Sequence, residues 1–372
     1  MNARARAWAD VDLGAVAANV ATLRSLVAPA EVWAVVKADG YGHGAAPVAR
    51  AALEAGASGL AVAQVAEAVP LRDVGITAPI LLLSEPRPGE VEGALAHRLA
   101  VTACTPEVVA RLAAADGGPP VDVHVKVDTG MHRMGVAPDA VVPLARAVAS
   151  APTLRLAALW THCAVADEPD DPFTATQLAR FDAAVAAVEA DGIEVPRRHA
   201  ANSAAAIAHP AARLDLVRCG IAVYGIPPAP GLADAVALQP VVRMASEVSA
   251  VRTVAAGEGI SYGRHHRVEA DTVVATVPVG YADGVDRALG LRHQPVLIGG
   301  RRHPMVGAVT MDQVMVDVGP DSDVAVGDEV VLLGTQHDER ITPDEWAARL
   351  DTIAYEVVCG IGSRVERRYR AS

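Results

Sequence analysis

The chain has 372 residues, 52% of them hydrophobic but only 3% aromatic, and a formal net charge of -12. That length has room for about two domains with sizeable cores. An acidic balance with no Lys/Arg run excludes the basic footprint that nucleic-acid binding needs and reads as solubility alone. Cys104, Cys163, Cys219 and Cys359 form no CxxC pair, so they read as reduced, mostly buried thiols and not as a disulfide framework or zinc site. No metal is expected. The opening MNARARAWADVDLGAV lacks the apolar stretch of a signal peptide, and no run approaches the roughly 20 apolar residues that span a bilayer. The expectation is a cytoplasmic protein without a membrane partner.

Between residue 11 and the low 230s two patterns alternate. Short apolar, β-branched runs stand at 31–36 (EVWAVV), 60–63, 79–83, 99–103, 121–127 (VDVHVKV), 154–160, 197–200 and 214–218. Helical stretches separate most of them, at 44–57, 105–115, 138–150 and 173–190. Thr105-Pro106 reads as an N-cap followed by a first-turn proline. Buried strands alternating with helices predict a parallel sheet. Eight such runs fit a (β/α)8 TIM barrel, while a doubly wound sheet also satisfies the alternation. After IPPAPG (226–231) the helical period fades and short strands separated by Gly and Asp turns take over. The chain is therefore divided into a barrel over 11–235 and a mostly-β domain over 236–372, joined by residues 1–10. A single helical stretch, 343–350 after Thr342, is expected in the second domain.

The sharpest motif is AVVKADGYGHG (34–44), at the end of the first apolar run. Lys37 then leaves the C-terminal mouth of a barrel strand, where barrel enzymes keep their chemistry. Partial desolvation there would favour a reactive amine. A solvated lysine on a flexible Gly-rich turn is the plain alternative. The segment resembles the pyridoxal-phosphate attachment motif of bacterial alanine racemases, and the resemblance extends over essentially the whole chain.

The resemblance implies pyridoxal 5'-phosphate bound covalently to Lys37, with Tyr41 as a phosphate ligand. In HVKVDTGMHRMGV (124–136), Arg133 would hold the substrate carboxylate and the cofactor's ring oxygen, a task suited to a guanidinium fork. Lys126 matches a lysine that is carbamylated in many members; an ordinary buried lysine is an equal alternative. His162 in WTHCAVAD would pack on the cofactor ring. Ser203 in HAANSAA is a phosphate ligand or simply an N-cap. In VRCGIAVYG (217–225) the Gly220 and Ile221 amides suit phosphate. Arg218 would face the pyridine nitrogen, where it can only donate and so leaves that nitrogen unprotonated. Most pyridoxal enzymes place an acid there. The weaker electron sink suits quick return of a proton over transamination.

Racemisation needs proton transfer on both faces of the α-carbon. Lys37 would serve one face and Tyr262 of GISYGRHH the other. By resemblance, Tyr262 comes from the other subunit of an obligate head-to-tail homodimer with shared sites, as does Met311 of TMDQVMVD. A His162–Arg218 hydrogen-bond chain would support the tyrosine. Tyr281 and Asp167 would line the entryway, and Tyr355 would anchor the cofactor. Two departures stand out: Ala308 where many relatives carry Arg, and Gly360 where Thr is common. The implied activity is interconversion of L- and D-alanine for peptidoglycan. A broader amino-acid racemase, a barrel-type amino-acid decarboxylase and a pyridoxal-phosphate carrier remain alternatives; Arg218 speaks against the second, and the β domain against the third.

Overall fold

The computed structural model describes residues 5–114 and 118–371. Two compact units share the chain. One comprises Ala15–Gly40 and Ala45–Gln239; the other takes the chain before Ala15, Tyr41–Gly44, and everything from Pro240 onward.

The first unit is built on eight parallel strands: Glu31–Val35, Gly59–Val62, Ile80–Leu82, Ala100–Ala103, Val121–Lys126, Leu154–Trp160, Arg198–His199 and Leu216–Cys219. The first seven pair in chain order, and the last pairs with the first. At the remaining seam, between the seventh and eighth strands, Asp215 N donates to Arg198 O at 3.1 Å and Arg218 N to Ala201 O at 3.0 Å. This nearly closed barrel selects the TIM-type reading over the doubly wound sheet. Gly59–Val62, Ile80–Leu82 and Ala100–Ala103 are buried throughout, as strands covered on both faces are. The helix Pro106–Ala113 starts as expected: Thr105 Oγ1 accepts from Val108 N at 3.4 Å, with proline at the first position. The expected helix end at Ala115 lies outside the described residues.

The second unit centres on a sheet ordered Arg301–Pro304, Pro295–Ile298, Glu329–Gln336, Val242–Glu247, Ala7–Asp12, Glu366–Arg370, with Glu339–Ile341 added on Glu329–Gln336. Ala250–Val254, Thr272–Val277 and Val314–Asp317 form a second sheet. The start of the chain belongs here because Ala7–Asp12 pairs antiparallel with Val242–Glu247 and parallel with Glu366–Arg370. The expectation of one helix in this domain is corrected. Besides Pro343–Leu350, capped by Thr342 and Glu345, helices form at Arg287–Leu291 and Ala354–Cys359. Both are under two turns long, too short to show a 3.6-residue period. Among the described residues no helix is long and apolar enough to cross a membrane.

Barrel closure rests on size matching between adjacent strands. Trp33 is registered beside Gly59, and a Cβ on Gly59 would sit 2.7 Å from the Trp33 ring. Gly59→Ala is expected to lower unfolding free energy by about 1–3 kcal/mol through overpacking, as read from urea or thermal unfolding. An unchanged midpoint would show that Trp33 yields freely.

Candidate active site

Lys37 is half-buried just past the end of the first barrel strand. After it the backbone turns left-handed at Ala38 (φ 52°), Asp39 (51°), Gly40 (63°) and Tyr41 (52°). For non-glycine residues this geometry costs about 1–2 kcal/mol each, so something must hold it. Glu67 does so: Oε1 accepts from Ala38 N at 2.7 Å, and Oε2 accepts from Ala63 N and Gln64 N at 2.7 and 3.1 Å. Asp39 Oδ1 accepts from Ala45 N at 2.8 Å, closing the turn.

On the neighbouring eighth strand, Arg218 is buried, with 2% exposure. Its partners are two carbonyls and two imidazoles. Nη2 donates to Thr161 O (2.9 Å), Ala200 O (2.9 Å) and His162 Nδ1 (3.2 Å), and Nη1 to His199 Nδ1 (2.7 Å). Its carbon lies 4.6 Å from the Trp160 ring centroid, and Lys126 Nζ lies 4.5 Å from the same ring. Burial draws Arg218 down to about 10, still protonated at neutral pH. Burial holds the His162 imidazole well below its usual value, helped by the charges of Arg218, Lys126, Arg133 and Lys37. Four cations thus bear on one imidazole, and the site is complementary to an anion. Lys126, buried at 3% exposure, is drawn down to about 8, first by burial. Arg133 is exposed at the barrel mouth, on a loop folded by Asp128 Oδ1, which accepts from Gly130 N and His132 N.

The seryl alternative resolves by position. Asn202 is the N-cap, its Oδ1 accepting from Ala205 N at 2.9 Å. Ser203, released from that task, gathers the Gly220 and Ala222 amides on its Oγ at 3.0 and 3.4 Å. The turn Ile221–Tyr224 follows directly. A hydroxyl that accepts from two amides keeps its own proton for an anionic ligand.

In the second unit Tyr262 (72% exposed) and Met311 (52%) are exposed, as is Tyr281. Their turns are tied together: Tyr281 N donates to Thr310 O at 3.0 Å, Ala282 N to Met311 O at 3.1 Å, and Ser261 Oγ, beside Tyr262, to Ala308 O at 2.6 Å. Tyr355 packs on the buried Tyr41 with ring centroids 6.2 Å apart. Asp167 is exposed in the first unit. Among the described residues no group of three or more His, Cys, Asp or Glu side chains could hold a metal. Cys104, Cys163 and Cys219 are buried thiols, and Cys359 is exposed.

Sequence reasoning missed Glu67, His199, His124 and Gln177. Gln177 fixes the His162 loop: its Nε2 donates to His162 O at 3.0 Å, and its Oε1 accepts from Ala164 N at 2.8 Å. The one legible signal was His124 between Asp122 and Lys126 in VDVHVKV, three polar residues on one face of a strand whose other face is valine.

Fold and site define the class: a (β/α)8-barrel enzyme with a lysine just past the end of its first strand and, on the neighbouring eighth strand, a buried arginine bonded to carbonyls and imidazoles. The family descriptions "Alanine racemase, N-terminal domain" and "Alanine racemase, C-terminal domain" match residues 11–228 and 241–369. An alanine racemase of Symbiobacterium thermophilum is 50% identical over 97% of this chain and 96% of its own length. The crystal structure of alanine racemase from D-cycloserine-producing Streptomyces lavendulae superposes with a TM-score of 0.93 at 39% identity, covering 100% of this chain and 98% of that one. The E. faecalis alanine racemase structure gives 0.93 at 37%, with both chains fully covered. The chain belongs to the alanine racemase family, and so to the pyridoxal 5'-phosphate-dependent racemases.

Replacing Glu67 by Gln leaves fewer acceptor lone pairs for three amides. The variant is expected to lose about 1–3 kcal/mol of stability and to speed hydrogen exchange at 37–41. Exchange as slow as in the parent would remove Glu67 as the support of the turn.

Proposed function

We propose that this chain interconverts L- and D-alanine by a two-base route and supplies D-alanine for peptidoglycan synthesis in the cytoplasm. The observation that carries the reading is the buried Arg218, held by neutral groups alone on the barrel face that also bears the Lys37 turn. These residues fit pyridoxal phosphate: Ser203 Oγ and the neighbouring backbone suit its phosphate, Lys37 its aldehyde, and Arg218 its ring nitrogen. When bound, the cofactor withdraws electrons from the α-carbon of an attached amino acid and acidifies its proton.

The protein's part is placement and proton handling. Lys37 takes or returns the α-proton on one face. The partner subunit's Tyr262 serves the other, which its exposure in a single chain suits. Arg133 and the partner subunit's Met311 amide orient the substrate carboxylate. Ser203, Tyr41 and the Ile221 amide would hold phosphate, joined by the Gly220 amide once phosphate takes it from Ser203 Oγ; His162 would pack on the ring and Tyr355 would steady Tyr41. Tyr281 and Asp167 line the way in. Arg218, a donor with no proton to give up at neutral pH, leaves the ring nitrogen unprotonated. That moderates electron withdrawal and favours prompt reprotonation at the α-carbon.

L-Alanine in D2O should acquire α-deuterium and D configuration together. Lys37→Ala should abolish covalent cofactor and slow racemisation by about 100- to 10,000-fold. Tyr262→Phe should impair exchange on one face far more than on the other. Equal loss on both faces would rule out two bases, and cofactor binding without exchange would exclude alanine as substrate.

Lys126 is carbamylated in this reading: its neutral amine attacks carbon dioxide, forms an N–C bond and releases one proton. The resulting anion meets the field of Arg133. Because the neutral amine grows as pH rises through about 8, occupancy should rise over that range. With 13C-labelled bicarbonate, a carbamate resonance should appear in the parent and be missing in Lys126→Ala. A parent lacking it would leave Lys126 an ordinary cation.

A further inference from the structure

Hydrogen-bond chemistry fixes the tautomers beneath Arg218. A guanidinium only donates, so His199 Nδ1, at 2.7 Å from Arg218 Nη1, accepts. A neutral His199 then carries its proton on Nε2, which lies 3.0 Å from His124 Nδ1. His124 must accept there, with its own proton on Nε2. Aromatic walls hold all three groups: the Trp160 ring stacks on His199 at 5.4 Å and 12°, and Trp33 packs at 6.1 Å from His124. His124 and His199 are buried at 3% and 0% exposure.

We propose that His124 is a positioning residue: by accepting the His199 Nε2 proton it fixes His199 as the acceptor that aims the Arg218 guanidinium at the cofactor ring. The proposal rests on the reading of this barrel face as the pyridoxal-phosphate site. Its logic is directional. Take the acceptor from position 124, and His199 can turn its proton toward Nδ1, where it meets the Arg218 donor head-on. A protonated His124 would break the chain in the same way. The charged groups acting on His124 are Asp122, Arg197 and Arg218, and those on His199 are Arg218 and Arg197. Asp122 is engaged by Arg155 at 2.5 Å. Burial holds His124 near 4 and His199 well below its usual value. The relay is therefore intact throughout the neutral range.

Two substitutions separate positioning from packing. His124→Leu removes the acceptor; His124→Asn restores an acceptor oxygen at the place of Nδ1. The Leu variant is expected to bind pyridoxal phosphate about tenfold more weakly, one lost hydrogen bond's worth, and to shift the pH titration of the bound cofactor's absorbance. The Asn variant should recover both. 15N NMR of the parent histidines, with cofactor or without, should show His199 protonated on Nε2 and His124 unprotonated on Nδ1. The opposite tautomers would overturn the proposal, even if the Leu variant fails to fold. So would parent-like cofactor affinity in the Leu variant, or equal losses in both variants that track their melting temperatures. A parent with the stated tautomers that binds no pyridoxal phosphate would sink the cofactor reading and leave the relay standing.

Discussion

A guanidinium buried without a carboxylate is the constraint around which the barrel interior is organised. Removing an isolated charge from water is costly unless it is hydrogen-bonded on every side. Arg218 meets that demand with Thr161 O, Ala200 O, two imidazole nitrogens and the face of Trp160. The solution carries a condition, because an imidazole accepts only while neutral. His162 and His199 must stay uncharged, and burial among cations keeps them so. A carboxylate in their place would have neutralised the guanidinium and cancelled the positive field. Neutral acceptors instead leave that field intact for an anionic ligand while spending the arginine's protons on fixed directions.

The second constraint is backbone strain at Lys37. Ala38, Asp39 and Tyr41 occupy a region that suits glycine, and only Gly40 enters it without penalty. Such strain persists where the surroundings over-determine it. Glu67 accepts from the turn and from the loop after the second strand at once. The backbone beside Lys37 is therefore tied to the barrel through Glu67. The lysine and the arginine are fixed by separate devices on neighbouring strands, since Trp33 of the Lys37 strand is registered with Arg218.

What the sequence made legible follows from the range of each interaction. Eight barrel strands stood out because a strand covered on both faces is a local apolar run, and each lies within a residue or two of its expected position. The Lys37 motif was legible because its turn is encoded in consecutive residues. Arg218 and Ser203 came from family resemblance, and neither is distinguishable by composition alone. Glu67, Gln177, His124 and His199 were not seen, because their meaning arises only from register. Lys126 pairs with Trp160, and Trp160 with His199, across strands separated by dozens of residues. A histidine in VDVHVKV and another in RRHAANS share no local pattern until the barrel brings their rings to 3.0 Å.

The two departures from the family pattern bear differently on this machinery. Position 308 acts here through its carbonyl, which accepts from Ser261 Oγ and so secures the turn that carries Tyr262. Any residue supplies that oxygen, and the Ala308 side chain is itself fully buried. Alanine at 308 thus supplies the carbonyl that ties the Tyr262 turn while adding no charge beside it. Gly360 is bound more tightly to its surroundings: its carbonyl crowds the place where a Cβ on Gly284 would lie, at the end of the Tyr281 turn. Glycine at 284 is required by that approach and by its φ of 100°. A side chain at 360 itself would meet only ordinary to slightly tight contacts, with Glu356 O at 3.1 Å. Both departures therefore leave the hydrogen bonds of the Tyr262 and Tyr281 turns in place.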